Sequence, residues 1–349
     1  MALSGGHYDT LAEVLKLTLP TLIPGIVDEN FKRGNPVDLL PFSQANHSGE
    51  LIYWLRSGTD VEGNVANIAV GGQTVITEGA TVSRKSAYLR SCYLYEKLDK
   101  FVQAIYGSIN NYEEISLGEM MKGVTKKLGD KTIYDDYTYD DHSLEMDGLH
   151  SWAATNYGEN WDIDEGEGAL ALNNMRILLE EMKYGLDFWL MPFLLQRQIS
   201  RVYHEAGIAN MKYDSAGPLG LISYTPNDVG GVTTLFGGKP IIPSDFLVAE
   251  QANTGYGSDA RAKYSSGTRM YSIFAILARR GGLMVPDPGV GVAFGKTEND
   301  GEFFNYEYWD KHPDYLAKAH RLSCHTTLIP GSKWSIGRIT DITNTVPTG

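Results

Sequence analysis

The chain has 349 residues, 42% of them hydrophobic and 21% charged, with 38 glycines and 21 tyrosines, a composition that excludes a disordered tail and allows two or more packed lobes. Its 43 acidic and 30 basic residues leave a formal net charge of -13, a field that repels phosphate backbones and anionic membranes and argues against broad-surface nucleic-acid binding. The two cysteines, Cys92 and Cys324, stand far apart and fit no CxxC spacing, which sets aside a thiolate zinc site and predicts two reduced, buried thiols.

Met1 to His7 carries neither Lys nor Arg, and the apolar stretch from Leu11 is broken by Lys16 and Pro20, so synthesis in a cytoplasm without a secretory leader is expected. "TLAEVLKLTL" (10–19) places Leu11, Leu15 and Leu19 along a short amphipathic helix that Pro20 and Pro24 end. Pro36 and Pro41 predict an extended course through "GNPVDLLPF", so residues 1–45 read as an arm laid on something else. "ELIYWLR" (50–56) and "TVSRKSAYLRSCYLY" (81–95) alternate polar with apolar residues and read as two strands. Residues 57–80 between them hold five glycines and no helical period. Together these segments outline a long ribbon with a glycine-rich tip, which needs a neighbour to cover it.

Leu117, Met120, Met121, Val124 and Leu128 follow helical spacing behind a capping-box-like Asn111-x-x-Glu114, predicting a helix over 112–128 with Gly129 as its stop. An acidic, tyrosine-rich loop follows (130–152). A helix is expected near 169–184, with Leu172, Met175, Leu179 and Met182 on one face and Gly185 ending it. "LDFWLM" then reads as a buried strand, Pro192 suits a first helical turn, and "FLLQRQISRVYHEA" continues to Gly207, which together imply an α/β lobe. The apolar run "LDFWLMPFLL" (186–195) is too short to span a bilayer. Beyond Gly207 the pattern is strand and turn.

Candidate chemistry is sparse. "GVGVAFGKT" (289–297) nearly spells a phosphate-binding loop, but the first required glycine falls on Val290 and no helix follows, so it reads as a hairpin with polar turns. Asp130, Asp135, Asp136, Asp140, Asp141, Glu145 and Asp147 supply oxygens for a hard cation without the spacing of a calcium loop; a solvated loop is the first reading and a cation site the second. The eight histidines form no HExxH pair, and there is no GxSxG elbow. No catalytic residue, cofactor-binding residue or metal ligand is therefore assigned.

The order of elements carries more. "KKLGDKTI" (126–133), "EMDGLHSW" (145–152), "LDFWLMP" followed by a helix, "LFGGKPIIPSD" (235–245) and "TRMYSIFAILARRGGLMV" stand in an order that is similar to the major capsid proteins of tailed bacteriophages over residues 10–343. That resemblance implies an α+β, Hong Kong 97-like capsid fold. Its parts would be an N-terminal arm (1–48), an extended β-ribbon or E-loop (49–95), a peripheral domain with a spine helix (96–147), an α/β axial domain (148–318), and a return to the peripheral domain (319–349). Residues 297–320 have no counterpart and read as an insertion whose tyrosines, Phe303, Phe304 and Trp309 meet a neighbouring subunit or accessory protein.

The resemblance further implies a non-enzymatic virion protein that self-assembles, as hexamers and pentamers, into an icosahedral head enclosing double-stranded DNA without sequence-specific binding. Trp54, Gly63, Gly71, Gly72, Arg84 and Tyr88 are expected at the subunit interface, with the ribbon glycines letting it adjust between positions. The partners implied are copies of the chain itself, a separate scaffolding protein, a portal and, optionally, a decoration protein, with assembly in the host cytoplasm and no membrane. An encapsulin-like compartment shell is the first alternative and a cation-dependent α/β enzyme the second.

Overall fold

A computed structural model of the protein describes residues 31–45, 50–57, 65, 81–100, 112–137, 144–154, 159–205, 222–226, 232–252, 263–264, 267–282, 285–295, 303–310 and 317–348. In chain order these form helix α1 (Pro36–Leu39), strands β1 (Phe42–Ala45), β2 (Leu51–Ser57), β3 (Val82–Tyr88) and β4 (Arg90–Asp99), and helices α2 (Tyr112–Tyr134) and α3 (Leu149–Ala154). Then come β5 (Asp162–Ala171), α4 (Leu172–Glu181), β6 (Phe188–Met191), α5 (Phe193–Glu205), β7 (Ile222–Pro226), β8 (Val232–Phe236) and β9 (Lys239–Pro243). The last are β10 (Met270–Ile276), β11 (Val290–Gly295), β12 (Asn305–Trp309), β13 (Ala317–Pro330) and β14 (Ile336–Thr348).

One sheet has seven strands in the order β5-β14-β10-β6-β9-β8-β7. Every residue of β10 and β6 is buried, as a continuous apolar run requires when both faces of a strand are covered. Trp189, Met191, Ile273 and Ala275 face a core built with Met175 and Leu178 of α4 and Leu195 and Ile199 of α5. Their neighbours Phe188, Leu190, Phe274 and Ile276 face the opposite way, onto Ile133 and Tyr134 of α2 and Leu149 and Ala153 of α3. The expected helix–strand–helix lobe is thus present, with α4 as the helix foreseen near 169–184 and α5 starting directly after Pro192.

The second sheet is built on β13. Its later half pairs with β11 and its earlier half with β12, while β4 runs along its other edge from Ala317↔Asp99 to Thr326↔Arg90. β1 joins in parallel beside β11. Helix α2 covers one face, setting Met120 and Val124 on Cys92, Leu322 and Cys324.

Several expectations need correction. Helix α2 does not stop at Gly129 but runs 23 residues to Tyr134, about 34 Å at 1.5 Å per residue. Gly129 serves close packing: a Cβ there would lie 2.4 Å from Asn35 Oδ1 and 2.7 Å from Phe246 Cε1. Residues 81–95 are two strands in two sheets. The change of partner falls at Leu89, whose N–H donates to Glu50 O (2.7 Å) while its side chain packs with Ala45, Ile52, Ala293 and Ile329.

Residues 31–45 lie on their own chain. Asn35 caps α1 by accepting from Val37 N (3.1 Å), Ser244 Oγ donates to Gly34 O (2.6 Å), and Arg33 N donates to Asp245 Oδ2 (3.0 Å). The expectation for residues 1–30 lies outside the described residues. Of the stretch read as a hairpin, Val290–Gly295 is strand β11, paired with β1 and β13, and 296–297 lie outside the described residues; a Cβ on Gly289 would meet the Ala278 backbone at 2.6 Å, so the glycine marks a close approach rather than a phosphate cradle. Strand β5, "DIDEGEGALA", was not foreseen, because its charged half carries no strand signal and its place is set by parallel pairing with β14. Among the described residues, no helix is long and apolar enough to cross a membrane.

Candidate subunit interface

Strands β2 and β3 form a two-stranded sheet of their own, in register from Leu51↔Tyr88 to Ser57↔Val82. Successive side chains of a strand point to opposite faces, and the two faces of this ribbon differ in what they meet. Ile52, Trp54 and Arg56 point inward. Ile52 is buried in the small core around Leu89 and Ile329, and Trp54 stands edge-on to Trp152 of α3 at 5.8 Å. Arg56 donates from Nη2 to Pro330 O (2.8 Å) and from Nε to Gly331 O (3.0 Å), and burial draws its guanidinium below the ordinary value. Glu50 and Arg90 pair at the root (2.6 Å), where Tyr88 stacks on Tyr137 at 4.1 Å beneath the Arg90 guanidinium.

The outward face carries Tyr53, Leu55 and Val82, exposed to 50%, 71% and 62%, with Arg84 resting over the Tyr53 ring at 4.3 Å. Three apolar side chains on one face of a narrow ribbon are an unfavourable monomer surface. Of the expected interface residues, Arg84 therefore stands on the open face, whereas Trp54 and Tyr88 are engaged within their own chain. Gly63, Gly71 and Gly72 lie outside the described residues. Tyr53, Leu55 and Val82 were not singled out beforehand, although the period-2 pattern of "LIYWLRS" holds the signal once the inward residues are known.

A second open surface lies on the β13 sheet, away from α2. Tyr93 and Tyr95 of β4 and Trp309 of β12 are 68%, 39% and 38% exposed, with the Arg321 guanidinium over Trp309 at 5.3 Å. The aromatic stretch read as an insertion is divided between two roles. Phe303 and Phe304 turn inward, Phe303 meeting Phe42, Phe294 and Phe304 edge-on, while Tyr306, Tyr308 and Trp309 stay half-exposed in β12.

Helix α3 connects the ribbon root to a buried polar cluster between the seven-stranded sheet and helices α2 and α3. His150 Nε2 lies 2.9 Å from Glu250 Oε1, which also accepts from Tyr134 Oη (3.0 Å), while Glu250 Oε2 accepts from Ser272 Oγ (2.6 Å). Arg338 lies 3.5 Å from His150 Nδ1 and grips Asp162 through Nε (2.7 Å) and Nη2 (3.1 Å). Burial alone would raise the Glu250 carboxyl, but His150 and the hydrogen bonds from Ser272 and Tyr134 hold it below its usual range. Burial pushes the Tyr134 phenol well up, with Glu250 adding to it. Sequence reasoning missed this cluster because its members come from six separate segments.

The acidic loop is only partly solvated. Asp135 and Asp136 are buried, and Lys131 pairs with Asp135 at 3.1 Å. Burial raises the Asp135 carboxyl to about 6, against the opposing pull of Lys131. Asp140 and Asp141 lie outside the described residues. Among the described residues, no three or more His, Cys, Asp or Glu side chains gather as a metal site.

No protein-family model matches the chain, and no curated protein is similar enough in sequence to match it. Solved structures do. The holo-SrpI encapsulin complex from Synechococcus elongatus PCC 7942 superposes with a TM-score of 0.62 at 11% identity, covering 100% of this chain and 99% of the other. The Cyanophage A-1(L) capsid gives 0.59 at 13% identity over 94% and 98% of the two chains. The capsid of a native GTA particle gives 0.57 at 11% identity over 94% and 96%. This is the Hong Kong 97 fold. Identities this low mean that the Hong Kong 97 backbone is shared while the side chains that make its contacts are this chain's own.

Proposed function

We propose that the protein is a structural shell subunit, the major capsid protein of a tailed bacteriophage, which closes into an icosahedral head around double-stranded DNA. The observation that carries this reading is a chain-long likeness to shell proteins, at TM-scores of 0.57 to 0.62. The ribbon supplies the physical reason for assembly. Its inner face is held by its own chain through Ile52, Trp54 and Arg56, and its outer face offers Tyr53, Leu55, Val82 and Arg84 to a second copy.

In this reading the β2–β3 ribbon carries the E-loop, α2 is the spine helix of a peripheral domain built on the β13 sheet, and the seven-stranded sheet, β14 included, is the centre of the axial domain. A scaffolding protein and a portal are the partners assembly requires, and the host cytoplasm is where it takes place. A net charge of -13 suits a container that confines DNA without adhering to it. No catalysis is assigned.

Negative-stain microscopy of the purified protein, with and without a co-expressed scaffold, tests the proposal: closed particles are expected. A compact monomer that forms none under either condition, with residues 50–95 protected from protease, overturns it. An encapsulin-like compartment shell is the second reading, supported by the likeness to the SrpI complex. Particles that co-purify with an enzyme cargo and lack nuclease-protected DNA would decide for it.

A further inference from the structure

Cys92 and Cys324, 232 positions apart in the sequence, stand directly opposite each other in the antiparallel ladder of β4 and β13. Directly opposed residues share one face of a sheet, with Cα atoms about 4.5–5.5 Å apart, inside the range of about 4.4–6.8 Å that a disulfide spans. Both cysteines are free and buried, beneath Met120 and Val124 of α2 and beside Leu322, with Phe303 and Phe304 at the flank. The pair is chemically unequal. The hydrogen bond from Cys324 lowers the Cys92 thiol to about 7, against burial and with help from Lys131 and Lys127, while the same bond and burial push the Cys324 thiol up. Asp135, the other charged group facing Cys92, works against the two lysines. Cys92 is also the more accessible sulfur, 9% exposed against 0% for Cys324, so it is placed to meet an oxidant first and Cys324 to resolve it.

We propose that Cys92 and Cys324 form an oxidative modification site, closing a cross-strand disulfide within the subunit when the protein meets a peroxide. The Cys92 thiolate attacks one peroxide oxygen, the O–O bond breaks, and hydroxide leaves a sulfenic acid on Cys92. The Cys324 sulfur then attacks the Cys92 sulfur, the S–O bond breaks, and the Cys324 proton departs with the hydroxyl as water. The two electrons lost by the thiols have reduced one peroxide. The bond staples the strand that follows the ribbon to the strand whose end Arg56 holds, so oxidation fastens the ribbon root to the sheet. The site belongs to the single subunit and stands or falls independently of the shell reading.

Folded protein treated with hydrogen peroxide, then quenched in acid and alkylated under denaturing conditions, tests it. Non-reducing peptide mapping is expected to give one peptide joined through Cys92 and Cys324, a loss of two hydrogens from the intact mass and reversal by dithiothreitol. The unfolding temperature of the oxidised protein should rise by about 5 °C. In C324S, Cys92 should instead stop at the sulfenic acid and be trapped by dimedone, whereas in C92S the remaining thiol should resist peroxide. Two fully alkylated thiols in peroxide-treated wild type overturn the proposal, as does a linkage found only between chains. The wild-type measurement suffices if either variant fails to fold.

Discussion

At Gly129 a helix carries a residue that helices disfavour, and the reason is the absent methyl. Asn35 Oδ1 and Phe246 occupy the space a Cβ would need. Gly129→Ala should therefore destabilise the protein by about 1–3 kcal/mol despite the gain in helix propensity. Gly118 of the same helix has open space around it, so Gly118→Ala should stabilise by up to about 1 kcal/mol. Equilibrium denaturation of the two variants measures the contrast, and equal shifts would show that packing at Gly129 is not limiting.

Asp135 gives a second residue-scale expectation. Its carboxyl is raised to about 6 in the folded chain, from an ordinary 3.8. The unfolded chain thus releases this proton first, so the stability this group contributes is present below pH 4 and is lost as pH rises to 6, with a plateau above. Asp135→Asn removes that dependence. It should gain on wild type by about 1–3 kcal/mol at pH 7 and by little at pH 4, as read from denaturation midpoints at the two pH values.

At the level of elements, the ribbon is the unit whose two faces can be tested apart. Leu55→Asp combined with Val82→Asp puts charge only on the open face, so the isolated subunit should change in stability by no more than about 0.5 kcal/mol. Particle yield should fall at least about tenfold, since each apolar side chain buried at a contact contributes about 1.5–3 kcal/mol. Sedimentation separates particles from subunits, and an unchanged yield would show that this face is not a contact.

The two strands themselves were legible from the alternation of "LIYWLR" and "SRKSAYL". The boundary at Leu89 was not, since β3 and β4 continue one alternating pattern and only the Leu89 amide, turned to Glu50, marks the change of sheet. Helix α2 was legible from its apolar spacing but its end was misread, because a glycine that stops a helix and one that admits a neighbour look alike in sequence. Trp54 and Tyr88 were expected at a subunit interface, and both engage their own chain. Which way each points follows from contacts with Trp152 and Tyr137, which no local pattern contains.

For the molecule as a whole, the order of elements was readable and the buried polar cluster against the seven-stranded sheet was not. That cluster rests on Arg338, Asp162, His150 and Glu250, all buried and drawn from distant segments. Removing one partner leaves a buried charge without its counterion, so Arg338→Ala should cost about 3–5 kcal/mol. Replacing Arg338 by Met together with Asp162 by Leu should recover most of that loss. Urea unfolding of both variants tests this, and additive losses would show that the two charges act separately.

The grip of Arg56 on the carbonyls of Pro330 and Gly331 bears on more than the ribbon. Those carbonyls close β13, and the short turn after them starts β14, so they sit where one sheet hands the chain to the other. The ribbon and the crossing are therefore one mechanical unit: whatever displaces strand β2 at Arg56 must also shift the turn from which β14 departs, since the guanidinium ties the two together beside the apolar contacts of Ile52 and Trp54.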